Sequence, residues 1–332
     1  MKAKNILVLI LLIVLIALIA IFVLGYANSD KFKSDLDAEI SNLQDQAEKA
    51  VNDALGNANA ANNPKNDAKM PANYNEIALD ENVLIHFIDA GQGDSILIQY
   101  KTENILIDAG DNGKGTIVSD YLKSKGVYSL KYLVGTHSDA DHIGGMDELI
   151  KNGIAFEKYF GTYMPKDTKA YENLVKLTVD KKVSLFRGQL LDTKIPILVL
   201  NPTQKLEFNG QNDNSVVLYV DLGEVEILLM ADCEIVCENS ILQANLPVTA
   251  EILKIGHHGS YSSTGEDFLN KVNPQTAVIL VGKDNDYGHP HKETLDKLTQ
   301  KNVKIYRTDL DGTIVFNSDG KNYVVLTGNM PN

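Results

Sequence analysis

Six of the chain's seven histidines fall in three short clusters, and each cluster follows an apolar, strand-like run. "YLVGTHSDADH" carries His137, Asp139, Asp141 and His142; "EILKIGHHGS" carries His257 and His258; "YGHPH", after "TAVILVG", carries His289 and His291. A further run, "EILLMAD", ends on Asp232. This recurrence constrains the fold more than any single segment does. If the runs lie side by side in sheets, the residues just past their ends project onto one shared rim, where side chains from distant parts of the chain can meet.

From about residue 76 the chain alternates short β-rich runs ("VLIHFID", "SILIQY", "NILIDAG", "SVVLYVDL", "KIYRT", "GTIVFNS", "NYVVLTG") with helical stretches such as "GTIVSDYLKSKG", "GGMDELIKNG" and "KETLDKLTQKN". That order predicts an α/β (α+β) protein with sheets covered by helices. Ahead of it lie two different segments. Residues 1–27 contain an uncharged apolar run, Ile6–Leu24, about the length of a spanning helix. It reads as a transmembrane signal anchor or, alternatively, a cleaved signal peptide. Residues 28–75 read as a spacer: an amphipathic stretch with Leu36, Ile40, Leu43, Ala47, Val51 and Leu55 at helical spacing, then an Asn/Ala/Pro-rich linker. Residues 76–332 form the expected folded domain. On this reading the chain sits in the cell membrane as a single-pass protein with that domain outside, or is secreted after cleavage.

Charge narrows the function. The net charge is −13, of which −12 lies beyond residue 75, and there is no basic stripe. Tight non-specific nucleic-acid binding through phosphate neutralisation is thus disfavoured. A polyanionic substrate stays open if metal cations carry the local positive charge. The two cysteines, Cys233 and Cys237, are four apart. On one helix that spacing suits a disulfide poorly, so buried thiols are expected.

Imidazole and carboxylate together suit Zn²⁺, Mn²⁺ or Fe²⁺. Two ions sharing a carboxylate need about six to eight such groups, and the strand-end clusters supply that number. His86, mid-strand, reads as structural, and Lys254 and Lys292 read as solvated surface lysines with an anion contact as the alternative.

The motifs "FIDAGQGDSILIQ", "NILIDAG", "THSDADHIGG", "NDNSVVLYVDLGEVEILLMADCE", "LKIGHHGS", "YGHPH" and "VKIYRTDLDGTI", in this order, resemble the metallo-β-lactamase-fold hydrolases, and among them the extracellular hydrolase domain of ComEC-type competence proteins. The resemblance covers about residues 80–328. It implies a four-layer αββα sandwich with one or two divalent ions, Zn²⁺ or Mn²⁺, at the edge between two sheets. It further implies that His137 and Asp139 bind a first metal, that Asp141, His142 and His258 bind a second, and that Asp232 bridges them. His257 is nearly as suitable as His258. No histidine lies between His142 and His257, so the first metal lacks the third ligand usual in the family. Asn214 and Ser215 are read as polar contacts near the site or as a turn leading into a strand. Asp89, Asp94 and Asp108 are read as groups that orient metal-binding histidines. The glycines of "GQGD" permit a tight turn beside the metals.

The expected reaction is hydrolysis by water acidified at the metal, with Asp141 or Asp232 orienting it and His289 or His291 assisting the leaving group or substrate oxygen. The resemblance implies a phosphodiesterase or nuclease acting on DNA or another phosphodiester. The alternatives are hydrolysis of a lactam, lactone or thioester, and a non-catalytic surface binding module. Apart from the membrane contact of the N-terminal helix, no partner protein is identifiable.

Overall fold

Period-two alternation explains why these runs become strands with two distinct faces. In β2 (Ile96–Tyr100), Ile96, Ile98 and Tyr100 face one apolar cluster while Leu97 faces another. In β9 (Glu226–Leu229), Ile227 and Leu229 face the first cluster and Leu228 a third. The computed structural model describes residues 70, 71, 74, 77–161 and 164–328. The expected membrane or signal helix and the spacer helix lie outside the described residues. Among the described residues no helix is long and apolar enough to cross a membrane.

Two sheets form. The eight-stranded sheet has the order β14 (Tyr323–Thr327), β13 (Ile314–Ser318), β1 (Val83–Phe87), β2, β3 (Glu103–Ile107), β4 (Ser129–Gly135), β5 (Ala155–Gly161), β6 (Lys182–Val183). It is antiparallel from β14 to β3 and parallel from β3 to β6. The six-stranded sheet has the order β12 (Lys304–Arg307), β11 (Thr276–Ile279), β10 (Ile252–Lys254), β9, β8 (Val217–Asp221), β7 (Ile197–Asn201). Here β9 to β12 are parallel.

One core lies between the sheets, with Phe87, Ile98 and Val134 from the first meeting Ile227, Val278 and Leu280 from the second. A second core joins the outer face of the six-stranded sheet to α5 (Ile235–Gln243), α6 (Glu266–Val272) and α7 (Lys292–Gln300). A third joins the outer face of the eight-stranded sheet to α1 (Gly115–Ser124), α2 (Ala140–Ile143), α3 (Met146–Lys151) and α4 (Lys169–Thr178). A last short helix, α8 (Thr308–Asp311), follows β12. The order of layers is helices, sheet, sheet, helices. The C-terminal ends of β4, β9, β10 and β11 therefore come out on one rim, each carrying its polar cluster.

Candidate metal centre

β4 ends at Gly135, and Thr136 and His137 follow at once, buried. The chain then enters the single turn of α2, which carries Asp141 and His142. Two glycine-dependent approaches hold this turn in place. A Cβ on Gly93, whose φ is +115°, would lie 1.9 Å from the Asp141 carbonyl oxygen, and Asp94 N donates to that oxygen at 3.1 Å. A Cβ on Gly145 would lie 2.2 Å from Ala109 O. Only glycine allows the neighbouring backbones so near, as expected of the "GQGD" turn. On the other sheet, His257 and His258 sit just past β10 in left-handed conformations, φ +46° and +53°, a costly geometry for non-glycine residues that is typical of functional loops.

Four side chains converge. His142 Nε2 lies 3.2 Å from Asp232 Oδ1, His258 Nε2 lies 3.5 Å from the same oxygen, and His258 Nε2 lies 3.2 Å from Asp141 Oδ2. Ligand atoms of Asp141, His142, Asp232 and His258 all fall within 4.8 Å of one another. Tetrahedral ligands at ~2.0–2.1 Å from an ion are separated by roughly 3.3 Å, so this spacing fits a divalent metal. The other oxygen of Asp232 faces two more imidazoles, with His137 Nε2 at 3.8 Å and His257 Nε2 at 3.7 Å.

The outer ring nitrogens are taken. His142 Nδ1 is 2.7 Å from Asp108 Oδ2, His258 Nδ1 is 2.8 Å from Leu280 O, and His257 Nδ1 is 2.9 Å from Glu234 Oε1. Each acceptor favours a proton on Nδ1 and leaves the Nε2 lone pair pointing inward, as metal-binding imidazoles require. His137 Nε2, His142 Nε2, His258 Nε2 and Asp232 Oδ1 are buried without a hydrogen-bond partner. Buried polar atoms are seldom left this way, and the last three belong to the group whose ligand atoms converge, which calls for a cation. Charge agrees. Burial works against ionisation of Asp232, yet His142 and His258 hold its carboxyl well below the usual range. Burial likewise opposes charge on His142, but Asp232 and Asp108 hold it well above an ordinary histidine. The site favours positive charge, which a metal ion would supply.

Residues 88–283 match the sequence profile of the metallo-beta-lactamase superfamily. The chain belongs to that superfamily. Among curated proteins it is similar to ComE operon protein 3 of Bacillus subtilis (32% identical, covering 70% of this chain and 32% of that protein). It is similar to competence protein ComA of Neisseria gonorrhoeae (30%, covering 73% and 33%) and to recombination protein 2 of Haemophilus influenzae (27%, covering 69% and 28%). The chain thus spans about a third of the length of these relatives. Membership agrees with the two-sheet sandwich and with a cluster of residues able to hold a metal.

Within that fold the remaining expected residues divide. Asp108 contacts His142 Nδ1, and its two oxygens also accept from Thr136 N at 2.9 Å and Thr136 Oγ1 at 2.7 Å. Asp94 Oδ1 is 3.4 Å from His258 Nδ1. Asp89 departs from expectation: it is exposed and accepts from Gly91 N at 3.1 Å, capping its own turn rather than orienting a histidine. Asp139 turns to Lys166, 2.7 Å away, and stands outside the group of four. Ser215 Oγ is 3.4 Å from His137 Nδ1. Asn214 instead spends its amide on Phe208 O and Gly210 O, so it builds the turn before β8.

His289 is buried beside His257 and His258, with ring centroids at 5.4 and 6.2 Å. Burial and the neighbouring imidazoles pull it down to about 4, which keeps it neutral near pH 7. His291 Nδ1 accepts from Tyr261 N at 3.1 Å, so Nε2 is the ring nitrogen left to donate. His86 is structural, buried with Nδ1 2.8 Å from Tyr121 OH.

Two expectations are corrected. Lys254 is not a surface lysine: it is fully buried, with Nζ 2.5 Å from Asp94 Oδ2 and 2.9 Å from Ala231 O. Lys292, by contrast, is exposed and pairs with Asp296. The cysteines are not free thiols but a disulfide, Cys233–Cys237, with Cα atoms 5.5 Å apart. Cys233 precedes α5 instead of lying on it, so the helical spacing assumed from sequence does not apply. Sequence reasoning also missed Glu234 and Thr136, whose roles come only from long-range contact.

Proposed function

We propose that this protein is a metal-dependent phosphodiesterase, a nuclease acting outside the cell and tethered there by its N-terminal segment. The observation that carries the reading is the convergence of Asp141, His142 and His258 on one oxygen-rich point at Asp232. Asp141, His142, Asp232 and His258 would hold a divalent ion there, and its chemistry would be to acidify water and polarise a phosphoryl oxygen. Asp141, the least buried of the four, would orient a water at the open side of the site. His291 offers Nε2–H as a hydrogen-bond donor to a substrate oxygen at the rim. Asp108, Glu234 and the Leu280 carbonyl keep the imidazoles in the tautomer that leaves Nε2 free.

Phosphodiester cleavage is supported by similarity to proteins named for competence and recombination. Placement outside the cell is supported by the disulfide, since such bonds persist in oxidising compartments. The groove beside the site, about 390 Å³, adds a constraint. It is lined by Asp111, Asp139, Asp141, Asp284 and Asp286, with Lys166 the one basic lining residue among the described residues. Such a surface does not grip a long polyanion. It suits a substrate recognised chiefly at the scissile phosphate, through the metal.

The test is a substrate panel with the full-length chain, stripped of metal and supplied with Zn²⁺, Mn²⁺ or neither. Metal-dependent cleavage of single-stranded DNA and bis-p-nitrophenyl phosphate, with a chromogenic lactam and a thioester untouched, is the expected result. Turnover of the lactam or thioester alone would replace this reading with C–N or C–S hydrolysis.

A further inference from the structure

Lys254 has no exposed surface, and its ammonium group lies behind the metal centre. Removing a charged amine from water is costly unless its partners are close and well placed. Here they are specific. Nζ is 2.5 Å from Asp94 Oδ2 and donates to Ala231 O at 2.9 Å. Asp94 belongs to the β1–β2 turn of the eight-stranded sheet, whereas Lys254 ends β10 and Ala231 lies two residues past the end of β9 in the six-stranded one. The ion pair therefore ties one sheet to the other at the rim.

Each partner is one step from a metal-centre residue. Ala231 precedes Asp232, and its left-handed φ of +47° presents a carbonyl that accepts from both Lys254 Nζ and His257 N. Asp94 N donates to Asp141 O at 3.1 Å, and Asp94 Oδ1 lies 3.4 Å from His258 Nδ1. Asp94, Asp108 and His142 also form a compact group that on spacing alone could hold an ion. Lys254 already supplies the positive charge at Asp94, and His142 is engaged by Asp108.

We infer that Lys254 is a positioning residue: its buried pairing with Asp94 sets the spacing between Asp141, Asp232 and His258 across the two sheets and keeps Asp94 from acting as a ligand. This rests on the metal-centre reading above. It differs from a purely structural role, which would affect folding and leave the metal's surroundings alone once the protein is folded.

The experiment uses the full-length chain and the variants Lys254→Met/Asp94→Asn, which removes both buried charges together, and Asp94→Asn, which keeps Lys254 and its bond to Ala231. Three quantities are read: Zn²⁺ affinity by chelator competition, the visible spectrum of the Co²⁺-loaded protein, and melting of the metal-free form. The expected result is a folded metal-free double variant whose Zn²⁺ affinity falls about 10–100-fold, as for other losses of groups that orient ligands. Its Co²⁺ bands should shift in position or intensity. Asp94→Asn should show the same direction of change, and it decides the matter alone if the double variant does not fold. A folded variant with native Zn²⁺ affinity and an unchanged Co²⁺ spectrum would overturn the inference. Failure of the unaltered protein to bind any ion would instead remove the metal-centre reading beneath it.

Discussion

Asp108 Oδ2 lies 2.7 Å from His142 Nδ1, and neither side chain has any contact with solvent. The carboxylate holds the ring, and Thr136 holds the carboxylate through its N–H and its hydroxyl. This arrangement makes Asp108 as necessary to metal binding as a ligand, though it touches no ion. Asp108→Ala should weaken Zn²⁺ or Mn²⁺ binding about 10–100-fold. Titration against a competing chelator checks this, and unchanged affinity would show that His142 needs no orienting partner.

Asp141→Ala and His142→Ala should each abolish metal-dependent hydrolysis while leaving the domain folded. His142→Ala leaves Asp108 without its imidazole, at a cost of about 1–3 kcal/mol in stability. Asp141 is partly open to solvent and should cost less. Circular dichroism melts alongside activity separate the two effects. Retained activity in both variants would remove these residues from the mechanism.

His86 gives a pH dependence that does not involve the metal centre. Burial, reinforced by Lys125, pulls its folded pKa from 6.5 down to about 4. The unfolded chain therefore takes up a proton before the folded one does. Stability is fully present above pH 6.5 and is lost as pH falls towards 4, by up to about 3 kcal/mol. In His86→Gln this contribution disappears. Metal-stripped native protein should lose more melting temperature between pH 7 and pH 4 than the variant, and parallel slopes would count against the assignment.

The Cys233–Cys237 bridge closes a very short loop, so its effect through the unfolded chain is limited to about 2 kcal/mol. Cys233→Ala/Cys237→Ala should shift urea unfolding by roughly that amount, with the fold retained. A much larger loss, or none, would show up directly in the denaturation midpoint.

The acidic groove makes a kinetic prediction. With Lys166 its one basic lining residue among the described residues, few counterions are released when a nucleic acid binds. One phosphate contact changes affinity by about threefold between 50 and 200 mM salt, where six to ten change it by orders of magnitude. KM for single-stranded DNA should accordingly vary by about threefold over that range. A steep dependence would mean that basic surface elsewhere on the chain takes up the strand.

The metal centre was legible because its residues follow strands. An apolar run of alternating faces ends, a histidine or acid comes next, and parallel strands bring those ends together; His137, Asp141, His142, Asp232 and His258 all obey this logic. Gly93 was legible for a related reason, since a Gly-rich turn between strands signals close backbone approach. What escaped detection depends on long-range partners. Nothing local separates Lys254 from a surface lysine; its burial follows from Asp94 being across the sheet interface. Glu234 reads as an ordinary helix-start acid until His257 is found 2.9 Å away. The disulfide was obscured by assuming both cysteines share a helix, when α5 begins only after Cys233. Asp139 sits in the motif like a ligand, yet Lys166, 27 residues further along the chain, is what it pairs with.

The central claim is that Asp141, His142, Asp232 and His258 hold an ion without which no bond is broken. The most direct measurement is hydrolysis of bis-p-nitrophenyl phosphate by full-length protein stripped with chelator, as Zn²⁺ or Mn²⁺ is returned in substoichiometric steps. The account predicts no turnover at the start and a linear rise that saturates at one or two ions per chain. Turnover by the stripped protein equal to that of the reloaded protein would contradict it.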